Sequence, residues 1–211
     1  MSDAGSAGPL EHASAAVFRG RLVVFPTDTV YGIGTRPDDP SATGRLFEAK
    51  ARPPELQLSV LVPSAAAARE IARFDQRADA LVVRFWSGPL TIVLPRTDRS
   101  STWDLGGDPQ TIGVRMPNHP LAMALLALTG PLATTSANRS GDPTPDGCDG
   151  IEDVFGERVD VYLCEQAPRP GRASTVVDLA HGDLSVLRSG SVTELDVLTA
   201  LAEGGPAGGR V

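Results

Sequence analysis

The sequence predicts an α/β (α+β) domain, and three observations predict it. Short runs rich in Val, Ile and Leu alternate with segments that carry helix caps and stops. The two kinds of segment are interleaved, yet some strands follow one another directly, so a strict βαβαβ repeat is not expected. A chain of 211 residues, 41% hydrophobic and 21% charged, suits one globular domain that folds without a disulfide or metal staple.

Each element has a local reason. "EHASAAVFRG" reads as a helix with Gly20 as its C′ stop. "RLVVFPTDTVYGIG" is a short apolar strand that breaks into a loop. "DPSATGRLFEAKA" is a helix with Asp39 or Ser41 near its N-cap. "LSVLV" is a β-branched strand, and "SAAAAREIARF" and "DQRADALVVRFW" are two helices. "LTIVLPR" is a strand that ends at Pro95, and "TIGVRMP" is another. Pro120 opens and Gly130 closes the helix "PLAMALLALTG". "LATTSA" is a strand entering the polar loop "NRSGDPTPDG". A short helix at "CDGIEDVFGE" and three strands, "VDVYLCE", "STVVDLA" and "LSVLRSG", follow. "SVTELDVLTALAE" closes as a helix, with Ser191 and Glu194 spaced as a capping box. Residues 1–8 and 203–211 read as disordered tails around a domain at 9–202, and "RTDRSSTWDLGGDPQ" as a surface loop and candidate lid.

Composition excludes several classes. A net charge of −7 argues against a protein that coats nucleic acid by bulk charge, though not against a local basic pocket. No apolar run approaches the ~18 residues that span a bilayer. The N-terminus has no basic region before an apolar core, so a cytoplasmic location without membrane contact is expected. Cys148 and Cys164 form no CxxC or Cys/His cluster; no zinc site is expected, and both read as unpaired thiols in a reducing compartment.

Polar residues crowd at strand ends in four places. "FPTDTVYGIG" supplies Thr27, Asp28 and Thr29, with Gly32 and Gly34 to admit a close ligand; it reads equally as a capped turn. Lys50 and Arg52 end a helix, where either cation suits the dipole. Lys50 is the only lysine among 19 basic residues, a choice that fits a compact ammonium between phosphate oxygens. Alternation in "TIGVRMP" puts Thr111, Gly113 and Arg115 on one face and Ile112, Val114 and Met116 on the other. "LATTSANRSGDPTP" offers Thr134, Thr135, Ser136, Asn138 and Ser140, without a Walker loop or a G-x-S-x-G elbow. His12, His119 and His181 fall in helix-start or turn contexts. Hydroxyls, arginines, one lysine and no evident general base describe a site that holds anions and works by positioning and charge neutralisation.

These stretches resemble the YrdC-type threonylcarbamoyl-AMP synthase family. Seven segments occur in the family's order over roughly residues 15 to 190: "FPTDTVYGIG", Lys50-x-Arg52-Pro53 with "LSVLV", "RFWSGPLTIVL", "TIGVRMPNHP", "LATTSANRSG", "STVVDL" and "VLRSG". The resemblance implies a twisted mixed sheet flanked by helices around a basic concave pocket. It implies synthesis of threonylcarbamoyl-AMP and pyrophosphate from L-threonine, bicarbonate and ATP, with Mg²⁺ bridging phosphates and no side-chain metal ligand. The product would pass to the tRNA threonylcarbamoyltransferase machinery, with at most a weak direct tRNA contact. By the same resemblance Lys50 and Arg52 hold the ATP phosphates. Thr29 and Arg115 contact threonine, and Thr134 and Ser136 the carbamoyl-threonine. Thr111, Asn138, Thr144, Ser174 and Arg188 complete the nucleotide pocket. The chain departs from the family at Leu56, where a polar residue is usual, at Gln57 for a proline, and at Leu61 for a histidine of some relatives. A paralogue acting on another acceptor and a non-catalytic nucleotide- or RNA-binding module remain open.

Overall fold

Helix starts follow the capping chemistry. In the computed structural model, which describes residues 8–165 and 171–204, α1 is Pro9–Phe18, α2 Pro40–Lys50, α3 Ala65–Ile71 and α4 Gln76–Phe85. The side chains of Asp39, Ser64 and Asp75 accept first-turn N–H bonds of α2, α3 and α4. Helices α5 (Pro120–Thr129) and α6 (Cys148–Phe155) follow, and α7 runs Glu194–Gly204. Gly20 takes φ +68° after α1, as its stop role requires. The capping box of α7 lies two residues later than expected. Thr193 Oγ1 accepts from Asp196 N, and Asp196 Oδ2 accepts from Thr193 N, while Ser191 Oγ turns to Arg172 O. An aspartate completes the box as a glutamate would.

The strands are β1 (Val23–Phe25), β2 (Gly32–Thr35), β3 (Ser59–Leu61), β4 (Leu90–Pro95), β5 (Thr111–Arg115), β6 (Leu132–Ser136), β7 (Val161–Tyr162), β8 (Thr175–Asp178) and β9 (Ser185–Arg188). They form one mixed sheet in the order β7-β1-β2-β6-β3-β5-β4-β8-β9, with three parallel pairs: β1/β7, β3/β5 and β4/β8. The stretch expected to be a loop after β1 is a strand: Gly32–Thr35 pairs with both β1 and β6. Its glycines lower intrinsic strand preference, and central placement between two partners overrides that. Only two residues of "VDVYLCE" form the edge strand β7.

The sheet's two faces are covered unequally. One face packs Val24, Ile33, Val60, Ile112 and Val114 under α2, α3, α4, α6 and α7. The other is covered at one end only, where Ala16, Leu125 and Leu126 of α1 and α5 meet Val23, Phe25, Leu61 and Leu132. The rest of that face is open and forms a cavity.

Two expectations are revised. Cys148 and Cys164 are not free thiols but a disulfide, with Cα atoms 5.7 Å apart. The start of α6 and the exit from β7 meet although 16 residues separate them, which spacing alone does not reveal. The 96–110 loop, expected at the surface, is anchored in part, with Ser100 and Leu105 buried. Arg96 is buried and donates to the carbonyls of Ser100, Trp103 and Thr111. Residues 1–7 and 205–211, most of the expected tails, lie outside the described residues.

Candidate active site

Small residues make the cavity floor. Gly34 pairs with Thr134, Thr134 with Ser59, Ser59 with Gly113, Gly113 with Val93 and Val93 with Asp178, so one row crosses six strands. Paired residues share a face, and the middle of the row, Thr134, Ser59 and Gly113, presents hydroxyls and a hydrogen where bulky side chains would fill the space. The cavity above it encloses about 490 Å³.

One wall is the turn between β1 and β2. Thr27 Oγ1 donates to Val30 O and lies 3.0 Å from Thr29 Oγ1. Arg115, at the end of β5, donates to Thr29 Oγ1 (3.0 Å), to Gly88 O (3.0 Å) and to Asp28 Oδ1 (2.6 Å). Burial lowers the Arg115 pKa and the Asp28 carboxylate opposes that, so the cation persists. The three contacts fix the guanidinium plane and leave further N–H groups for a carboxylate.

The opposite wall carries two more arginines. Arg52 donates to Leu56 O and Gln57 O, both at 2.9 Å. Arg188 donates to Ser174 O (3.0 Å) and Ser174 Oγ (2.9 Å), and Ser174 Oγ lies 3.0 Å from Thr91 Oγ1. Among the described residues neither guanidinium has a carboxylate partner. Burial lowers the pKa of each, and the charge of Arg188 lowers that of Arg52 further. Two neighbouring, partly desolvated cations without a counterion make an anion site.

The loop carrying the Arg52 acceptors is locked to the 96–110 loop. Leu58 N donates to Leu105 O and Gly107 N to Pro54 O. Gln57 Nε2 donates to Asp108 O (3.0 Å) and Thr111 O (2.8 Å). Gly106 and Gly107 both have positive φ, and a Cβ on Gly106 would lie 2.4 Å from Pro54 O, so the docking requires glycine there. Gln57 stiffens the loop by hydrogen bonds at the position where a family proline would stiffen it by its ring. Leu56 is half exposed and faces the cavity.

Lys50 is elsewhere. It is 1% exposed and does not line the cavity; Nζ donates to Ser136 O and, at 3.4 Å, approaches Asn138 Oδ1. Burial, helped by the charge of Arg52, pushes its pKa down to about 7. Asn138 Nδ2 donates to Arg139 O and Asp142 O, and Thr144 Oγ1 donates to Asn138 Oδ1. The expected site residues therefore form two groups. Thr29, Arg52, Thr111, Arg115, Thr134, Ser136, Ser174 and Arg188 line the cavity. Lys50, Asn138 and Thr144 form a polar hinge behind Ser136.

The family model described as "Telomere recombination", for Sua5, YciO and YrdC proteins, matches residues 15–190. The chain belongs to the Sua5/YciO/YrdC family. A Mycobacterium leprae relative is 41% identical over 182 residues, 86% of this chain and 82% of the relative. A protein named threonylcarbamoyl-AMP synthase from Chromohalobacter salexigens is 33% identical over 84% of this chain and 96% of its own length. The crystal structure of Pyrococcus abyssi Sua5 complexed with L-threonine aligns with a TM-score of 0.83 at 33% identity, over 92% of this chain but 57% of that longer chain.

Within this Sua5/YciO/YrdC fold, four further cavity residues were not among the expected site residues. Thr91, Asp108, Asp178 and His181 all line the cavity. Thr91 carried a readable signal, being the one polar residue inside the apolar run "LTIVL". His181 has one partner in its own turn, Asp178, but its second, Asp108, is 73 residues away and is not signalled locally. Among the described residues no helix is long and apolar enough to cross a membrane.

Proposed function

We propose that this chain makes threonylcarbamoyl-AMP and pyrophosphate from L-threonine, bicarbonate and ATP. The observation that carries the reading is the pair Arg52 and Arg188, cations without counterions beside a hydroxyl-rich floor, with the orientated Arg115 on the wall facing them. In this reading Arg115 takes the threonine carboxylate and Thr29 its polar side. Arg52 and Arg188 take the phosphates, with Thr111 and Ser174 beside them, and Thr134 and Ser136 flank the reacting carbamate. The threonine amine adds to bicarbonate with loss of water. A carbamate oxygen then attacks the α-phosphorus, and pyrophosphate leaves with the electrons of the P–O bond. An anionic nucleophile meeting a polyphosphate is repelled, and fixed guanidinium groups lower that barrier without reorganising.

Lys50 acts from behind in this reading. Its ammonium holds the Ser136 carbonyl and so sets the Ser136–Asn138 turn, while Asn138 and Thr144 hold the loop that follows. Mg²⁺ arrives with the ATP phosphates. Phosphate oxygens and water would supply its ligands; among the described residues no group of three or more His, Cys, Asp or Glu side chains is arranged to hold a metal ion. Transfer onto tRNA belongs to a separate enzyme.

The test is purified protein with ATP, Mg²⁺, labelled bicarbonate and threonine. Threonine-dependent release of pyrophosphate together with a labelled adenylate is expected. Pyrophosphate release that responds to another amine and not to threonine would replace the acceptor, and no release with any amine would overturn the reading.

A further inference from the structure

Three carboxylates, Glu55, Asp108 and Asp178, line a cavity otherwise built for anions, and two of them share one partner. Asp178 ends β8 on the floor row, and Asp108 stands on the rim in the 96–110 loop. Bare, each would repel a polyphosphate, and charges closer than a Debye length of ~8 Å are weakly screened by salt. His181, in the turn between β8 and β9, answers both. Its Nδ1 lies 2.7 Å from Asp178 Oδ2 and its Nε2 3.1 Å from Asp108 Oδ2. A neutral imidazole has one N–H, so only the imidazolium makes both contacts hydrogen bonds.

We propose that the His181 imidazolium is a positioning residue of the nucleotide site: it ties Asp108 to Asp178 across the cavity mouth and offsets one of the two negative charges that an entering polyphosphate meets there. The inference rests on the ATP reading above. The other carboxylate oxygens are already used, since Asp108 Oδ1 accepts from Gln110 N and Asp178 Oδ1 from Ala180 N. The turn is itself held, because Arg77 of α4 donates to Leu179 O and Gly182 O.

The charged groups around His181 are Asp178 on β8, Asp183 in its own turn, Asp108 and Arg96 of the 96–110 loop, and Arg77 of α4. Glu55, Arg52, Arg115 and Arg188 line the same cavity. The hydrogen bond to Asp178 and then that to Asp108 raise the imidazole pKa above its ordinary value. The cation therefore persists to higher pH than that of an unpartnered imidazole and is lost as pH rises through the raised value.

The experiment is calorimetric binding of MgATP between about pH 6 and about pH 9, the range of imidazole titration, to the unaltered protein, His181→Gln and His181→Arg. The unaltered protein should lose affinity in an alkaline step. His181→Gln should bind roughly two- to fivefold more weakly at neutral pH and lack that step, the size expected of an exposed charge interaction. His181→Arg, a cation that does not titrate, should keep its affinity at high pH. Lys50 titrates alike in all three proteins, so their differences isolate His181. A His181→Gln protein matching the unaltered one at every pH overturns this proposal and leaves the ATP reading standing. So does a His181→Arg protein as weak as His181→Gln. No MgATP binding by the unaltered protein overturns both.

Discussion

At the end of α2, Lys50 runs into packed protein and is 1% exposed, whereas Arg52 stands on the cavity wall with its guanidinium spread over two loop carbonyls. One residue separates them. Ala51 between them is in the left-handed region, at φ 49°, ψ 43°, the one non-glycine residue at positive φ among the described residues. That turn breaks the helix between the two cations, so the ammonium meets Ser136 O while the guanidinium meets the cavity. Adjacent like charges in one motif need not act at one place. Here one cation is assigned to the ligand and the other to the wall that holds it.

The largest expected effect comes from a third cation. Arg115→Ala removes the carboxylate clamp and also leaves Asp28 without its ion-pair partner. Breaking a buried pair costs about 3–5 kcal/mol, so both the urea midpoint and turnover should collapse. Arg52→Ala should be cleaner. Its acceptors are carbonyls that water can reach, so the urea midpoint should barely move while kcat/KM falls about a hundredfold, the loss of charged hydrogen bonds to the transition state. Unchanged kinetics would remove Arg52 from the phosphate site.

Lys50→Met tests the other half of the comparison. Burial holds the folded pKa at about 7, below the ~10.4 of an unfolded lysine. Between those values the unfolded chain binds the extra proton, so stability rises with pH through the window, and the burial cost is complete below about 7. The rise is at most on the order of 5 kcal/mol and should vanish in Lys50→Met. Urea midpoints near neutrality and near pH ~10 check it, bracketing the lysine titration. Normal pH-dependent stability with MgATP affinity abolished would instead place the ammonium on the phosphates. The smallest effect is expected of Ala51→Gly. Relief of the left-handed alanine should stabilise the fold by up to ~1 kcal/mol, while a looser turn raises the ATP KM a fewfold; lower stability would show that Ala51 is not strained.

Much of the fold and part of the site were legible in residues near one another. Period-2 alternation placed Thr111, Gly113 and Arg115 together on the cavity face, with Ile112 and Val114 in the core. Cap chemistry placed Asp39, Gly20 and Pro120, because those signals act within one helical turn. What was not legible depends on distance along the chain. Nothing near Lys50 says that Ser136 O will lie against its ammonium, and nothing near Cys148 says that Cys164 returns beside it. The rarity of Lys50 marked it as special but did not say which side of the wall it serves. Gln57 looked like a loss of loop stiffness, and only the docked 96–110 loop shows its two hydrogen bonds.

The row from Thr134 to Val93 has one more consequence. Its members, Thr134, Ser59, Gly113 and Val93, belong to four strands held in register by ladder hydrogen bonds. A bound molecule resting there cannot push one of them aside without dragging its neighbours, so the row works as a rigid gauge of ligand thickness. Arg52, Arg188 and His181 stand on turns and strand ends around it, where a substitution changes charge without altering that gauge. Size selection and charge selection are thus carried by separate parts of one cavity, and each can be altered while the other stays as it is.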